Sequence, residues 1–280
     1  IMQDFKVSNF AYNNNIDVII GTSSVVSHVG FLLRIRSIII AEDDASSVPL
    51  LAFTGYPFAS LIVTPDVCNN GKWEHKSIKY KGYHELAYLH PKYFKPDKKI
   101  VKKYLNFKEP YFIIRFSKLS AHHDKGIDGI SDEIASKLVK KLLKYGTVVI
   151  TSERKIESKL DKYRLEIDPK HMHHIMAFSS IYIGDSQTMA AESGVLGVPF
   201  IRFNDFVGKI GYLKDLEDNY KLGFGIKTKN VKELFYRLDS ILKMKNREVS
   251  FKKRKEKMLS EKIDVVDFFK NIIISERDND

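Results

Sequence analysis

Residues 181–202, IYIGDSQTMAAESGVLGVPFIR, constrain the fold more than any other stretch of the chain. The apolar run Ile181-Tyr182-Ile183 fits a buried strand, and Gly184-Asp185-Ser186-Gln187-Thr188 is a polar loop able to cap a helix. A helix over 189–196 follows, stopped by Gly197, and 198–201 resumes as a strand. Strand, turn, helix and strand in this order make one step of a parallel sheet, in which ligands sit at the carboxyl ends of the strands. The loop lies at such an end, and a helix N-terminus there offers unpaired backbone N–H groups to an anion, a phosphate being the usual one.

The same alternation runs through the chain. Residues 16–20 (IDVII) read as a strand ending at Gly21, followed by the polar turn Thr22-Ser23-Ser24 and a helix over 25–33; 37–40 and 61–63 are further strands, with a helix over 49–59 weakened by Gly55 and Pro57. Residues 77–84 alternate as a strand. Residues 111–114, 147–150, 164–167 and 224–226 are strands of a second series, with helices over 131–145, 169–178, 231–245 and 265–274. Continuous apolar strands imply sheets covered on both faces. The fold class expected is α/β, with two doubly wound, Rossmann-type parallel sheets facing a cleft. The expected partition is a partial N-terminal domain over 1–92, a linker over 93–108 where the composition shifts, and a C-terminal domain over 109–280.

At 280 residues the chain can bury a sizeable core, and 44% hydrophobic with 29% charged residues is ordinary for a globular protein. No apolar run is long enough to span a bilayer, and the single cysteine, Cys68, fits a reducing cytoplasm. The formal charge of +11 is concentrated in Lys95, Lys98, Lys99, Lys102, Lys103 and Lys108, and again in Lys252, Lys253, Arg254, Lys255 and Lys257. Such runs serve as solvated faces or as contacts to anionic partners. Zinc-finger, helix-turn-helix and aromatic RNA-binding signatures are missing, so nucleic acid is not an expected partner. Ile1 ahead of Met2 is not an ordinary initiator, which implies a preceding piece.

The segments GYHELAYLHP, RFSKLSAHHDKG, DPKHMHHIMAFSS and GDSQTMAAE together resemble GT-B enzymes, the class of two Rossmann domains that includes UDP-N-acetylglucosamine 2-epimerases and MurG-type glycosyltransferases. More closely they resemble a poorly characterised GT-B-like family associated with surface polysaccharide synthesis. In that class further strands precede the one at Ile16, so the resemblance implies a truncated N-terminal domain. It also implies that Asp185, Ser186, Gln187 and Thr188 hold the diphosphate of a nucleotide sugar, with Glu192 near the ribose hydroxyls. A carboxylate accepts two hydroxyl hydrogen bonds, and N–H groups and hydroxyls meet phosphates. In the plainer reading Ser186 and Thr188 cap the helix and Glu192 is a surface residue.

Arg115, Ser117, His123 and Asp124 follow the first strand of the second series. A guanidinium suits forked binding of phosphate oxygens, and His123 could donate to the diphosphate or move a proton near neutral pH. Alternatively Arg115 pairs with an acidic neighbour and the histidines are solvated. His171, His173 and His174 do not share one helical face, so no metal site is assigned, and His173 is placed near the nucleotide. Glu42 and Asp43 end a strand of the first series. Glu42 matches the position of a catalytic glutamate in the 2-epimerases, whereas Gly21-Thr22-Ser23 stands where those enzymes carry another acid; either carboxylate could instead cap the next helix. The resemblance implies a glycosyltransferase taking a UDP-sugar and a glycan or lipid-linked acceptor, with a 2-epimerase and a non-catalytic sugar-nucleotide binder as alternatives. The nucleotide sugar is substrate and no cofactor is required. The expected location is the cytoplasm, with a peripheral contact to the inner face of the membrane through the basic segments and residues 49–59.

Overall fold

The structure, a computed structural model, describes residues 2–106, 109–117 and 129–274. The chain forms two compact units. The first comprises Ile1–Ala87, Lys209–Tyr212 and Lys262–Asp280, and the second Tyr88–Gly208 and Leu213–Glu261.

The first unit opens with α1 (Met2–Asn13), β1 (Val18–Gly21), α2 (Ser24–Leu33) and β2 (Arg36–Ile40). After α3 (Pro49–Thr54) come β3 (Leu61–Pro65) and β4 (Ser77–Tyr80), and the four strands lie parallel in the order β1-β2-β3-β4. Residues 49–59 do not form one helix: α3 stops at Gly55, and Tyr56–Phe58 tightens into a 3-10 turn, because Pro57 has no N–H to continue the ladder. The strand expected over 77–84 ends at Tyr80, where Gly82 N–H folds back onto the Tyr80 carbonyl at 3.0 Å. Packing of α2 on β2 requires Gly30, since a Cβ there would lie 2.4 Å from that of Ser37. Ile39, Ala52, Tyr56, Ala59 and Ile62 form the core between α3 and the sheet.

The second unit starts with α4 (Leu86–Leu89), which straddles the boundary, and α5 (Lys98–Val101). Then follow β5 (Tyr111–Phe116), α6 (Asp132–Leu142), β6 (Thr147–Ser152), α7 (Ser158–Asp161), α8 (Met172–Ala177), β7 (Ile181–Gly184), α9 (Gln187–Leu196) and β8 (Phe200–Phe203). The chain goes on through α10 (Gly211–Lys214), β9 (Gly223–Ile226), α11 (Val231–Leu242) and α12 (Arg247–Glu261), and α13 (Val265–Ile274) rejoins the first unit. The five strands are parallel in the order β6-β5-β7-β8-β9. Helix α6 is well specified: Ser131 Oγ accepts from Ile134 N–H at 3.3 Å, acids occupy its first turn, lysines its last, and Ala135, Leu138 and Leu142 enter the core.

One expectation fails here. Residues 164–167 are not a strand. Arg164 makes a single bridge to Ile150, and the chain then leaves the sheet for Pro169, which starts a 3-10 turn ahead of α8. The basic run after 251 lies on α12, and two of its charges are structural: Lys255 Nζ caps the Leu196 carbonyl at 3.2 Å, and Arg254 Nη1 reaches the Lys221 carbonyl at 2.6 Å. Sequence periodicity missed α12 because only Phe251 and Met258, two turns apart, are buried.

Candidate functional site

The carboxyl ends of β5, β6 and β7 in the second unit converge on the start of α9. Ser186 is the N-cap, with its hydroxyl accepting from Met189 N–H at 3.3 Å. That spends one of the orphan donors of the first turn. Among the described residues, the backbone N–H groups of Gln187 and Thr188 have no protein acceptor, so the helix presents them as anion donors. Thr188 is exposed and Gln187 half-buried. Ser186→Ala is expected to cost about 1 kcal/mol in urea unfolding, the usual worth of such a cap.

Asp185 precedes the cap and is held by backbone donors. It is buried, and its two carboxylate oxygens accept from Ser117 N–H at 2.6 Å and Ile130 N–H at 3.3 Å. One side chain therefore ties the end of β5 to the approach of α6. Burial pushes its carboxyl above the ordinary range, and the backbone donors partly offset this. Ser117 is engaged through both its backbone N–H and its side chain. His123 and Asp124 lie outside the described residues.

Below α9, the fully buried Arg202 of β8 donates through Nε and Nη2 to Glu217 Oε1 at 3.0 and 2.9 Å, and through Nη1 to Gln187 Oε1 at 3.1 Å. Glu217 sits on a π-helical turn, Asp215–Asn219, and Gly225 leaves room for it: a Cβ there would lie 2.6 Å from Glu217 Oε2. Nothing in the sequence singled out this pair, since Arg202 is embedded in the strand FIRF.

Glu192, one turn into α9, is not a surface residue. It is 7% exposed, and its Oε1 accepts from Tyr88 Oη at 3.0 Å and pairs with His173 Nε2 at 2.9 Å. The histidines of α8 take separate partners: His171 meets Tyr104 Oη at 2.8 Å, and His174 Nδ1 accepts from Asp97 N–H at 3.0 Å. Among the described residues no group of three or more His, Cys, Asp or Glu could hold a metal ion. Through these bonds residues 88–104 are fastened to α8.

Glu192 borders a cavity of about 460 Å³. Its polar wall includes Arg115, Ser152, Glu153 and Glu192, and its apolar wall Leu165, Ile167, Met172 and Met189. Arg115 forms an ion pair with Glu153, as the plainer reading expects, while still lining the cavity. A concave, partly apolar site with a few convergent polar groups and helix-end donors nearby suits a flat heteroaromatic ring joined to hydroxyls and an anionic group. Of the residues named from sequence, Arg115 and Glu192 line this cavity and His173 meets Glu192. Sequence reasoning missed the apolar wall because Leu165 and Ile167 were read as strand residues.

Glu42 and Asp43 belong to the first unit, after β2. Glu42 Oε1 accepts from His84 N–H at 2.7 Å, and its carbonyl receives the Cys68 thiol at 2.9 Å.

Two Rossmann-like units with all-parallel sheets define a GT-B fold, and solved structures agree. UDP-GlcNAc 2-epimerase from Methanocaldococcus jannaschii, in complex with UDP-GlcNAc and UDP, superposes with a TM-score of 0.60 at 12% identity, over 89% of this chain and 77% of that one. The glycosyltransferase SsfS6 of Streptomyces sp. SF2575, complexed with thymidine diphosphate, gives 0.54 at 15% identity, over 96% and 72%. The spinosyn forosaminyltransferase SpnP gives 0.56 at 11% identity, over 96% and 79%. Residues 2–274 match the model of a family described as a protein of unknown function, DUF354, and the chain belongs to that family. No curated protein matches it by sequence.

Proposed function

We propose that the chain is a glycosyltransferase that takes a nucleotide sugar, a UDP-sugar, and transfers the sugar to a glycan or lipid-linked acceptor. The observation that carries this reading is the inward-facing Glu192, held by Tyr88 and His173 on a cavity that lies beside the open N-terminus of α9. With Oε1 taken by two donors, Oε2 is left for ribose hydroxyls. The base would lie against Leu165, Ile167 and Met172, and the diphosphate would take the N–H groups of Gln187 and Thr188, with Arg115 close by on leaving Glu153. Helix-end donors of this kind stabilise a departing diphosphate, the main charge development of the reaction. Glu42 and Asp43 are the candidates for the base that deprotonates the acceptor hydroxyl. No cofactor is needed in this scheme.

Isothermal titration with UDP tests it. The chain should bind UDP, and Glu192→Ala should weaken binding about ten- to a hundredfold, the worth of hydrogen bonds to a charged group. No binding, or binding unchanged in the variant, sinks the reading. A UDP-GlcNAc 2-epimerase is the second reading, favoured by Glu42 at the end of β2 and opposed by the acid-free turn at Gly21-Thr22-Ser23. Incubation with UDP-GlcNAc alone separates the two: a 2-epimer or free UDP as product assigns the isomerase chemistry.

A further inference from the structure

We propose that the outer face of α2 and α3 in the first unit docks on an anionic bilayer surface. Phe31 and Leu32, at the end of α2, are 67% and 70% exposed, and Leu50 and Phe53, one turn apart on α3, are 60% and 67% exposed. Phe58, on the 3-10 turn that packs against both helices, meets the Phe31 ring edge-on at 5.2 Å, so that turn stands between the two exposed pairs. Scattered apolar side chains on a surface are ordinary, but a contiguous aromatic and aliphatic cluster marks an interaction site.

Charge says which partner it fits. Lys72 holds its ammonium 5.3 Å from the centre of the Phe53 ring, and Arg34 stands exposed directly beyond α2. Of the neighbouring acids, Glu74 pairs with Lys79 at 3.1 Å and Asp4 is hydrogen-bonded to His28 Nδ1 at 3.0 Å. Apolar side chains flanked by cations match the boundary between acyl chains and anionic headgroups. Among the described residues no helix is long and apolar enough to cross a membrane, so the contact is peripheral. The basic run of α12 is a poorer candidate, because Arg254 and Lys255 are spent on backbone carbonyls. The inference stands apart from the nucleotide reading.

Cosedimentation with phosphatidylcholine vesicles, with and without phosphatidylglycerol, is the test. The chain should pellet with the anionic vesicles. The double substitution Leu50→Ser/Phe53→Ser should lower partitioning about tenfold or more, with circular dichroism and melting temperature unchanged, since those side chains already face water. Phe31→Ser should act in the same direction, and Lys252→Gln/Lys253→Gln should leave binding intact. The proposal is overturned by absence of vesicle binding, by equal binding of the patch variants, or by loss of binding in the α12 variant. It is also overturned if the chain is a dimer that Leu50→Ser/Phe53→Ser dissociates, which would give the face to a second copy.

Discussion

Glu217→Ala is expected to destabilise the second unit by about 3–5 kcal/mol, the cost of leaving a buried charge without its partner. Arg202 is fully buried, and two of its donors converge on Glu217 Oε1. Burial alone pushes the Glu217 carboxyl upward, and Arg202 opposes the rise, so the pair offsets a desolvation that neither member tolerates alone. Removing both charges is a different experiment. Arg202→Met/Glu217→Leu should recover most of the loss, since apolar replacements of similar volume commonly match a buried ion pair. Urea unfolding followed by circular dichroism reads both variants, and Trp73, the single tryptophan, sits in the first unit and reports on it separately. A Glu217→Ala variant as stable as the parent would mean that Arg202 finds water or another acceptor.

Asp185→Asn is expected to cost about 1–3 kcal/mol, because its amide nitrogen would confront one of the two backbone N–H groups the carboxylate now accepts. The cost should depend on pH. The folded-state pKa of Asp185 is raised by burial above an unfolded value near 3.9, so the native state holds the proton more tightly than the unfolded chain. The contribution of this group to stability is therefore fully present below about pH 4 and is lost as pH rises through the folded value. Asparagine does not titrate, so the gap between parent and variant should narrow as pH rises through that window. Urea titrations at a series of pH values measure it, and a constant gap would contradict the assignment. If the nucleotide reading holds, the variant should also bind UDP more weakly, as Asp185 leads directly into the α9 cap.

Most strands were legible because they are short, continuous apolar runs, which a sheet covered on both faces demands, while β4 was read from its alternation. Residues 181–202 fold as expected, with Ser186 as cap and Gly197 in the left-handed conformation, at φ 82°, that stops α9. Three things were not legible. Residues 164–167 have the alternation of a strand and meet β6 at one residue only, since pairing depends on a neighbour that local sequence does not name. Helix α12 buries too little of its surface to print a periodicity. Arg202 and Glu217 are fifteen positions apart, and only the tertiary fold makes them partners. For Glu192 the sequence supplied the position on the helix, while its burial and its bonds to Tyr88 and His173 needed distant chain to come close.

Helix α13 has a bearing on how such a protein is inherited. Tyr80 packs its ring against Phe268 and Phe269 at 5.2 and 5.4 Å, Ile263 N–H bonds the Lys81 carbonyl at 2.9 Å, and Arg36 Nη2 reaches the Ile272 carbonyl at 3.2 Å. The first unit is therefore closed by a helix that follows the whole of the second unit in sequence. A recombination event with one crossover cannot exchange either unit as a cassette, because it would separate β4 from the helix that covers it. Swapping the second unit for that of a relative takes two junctions, one on each side of the inserted stretch, and α13 must keep faith with the strands it was matched to.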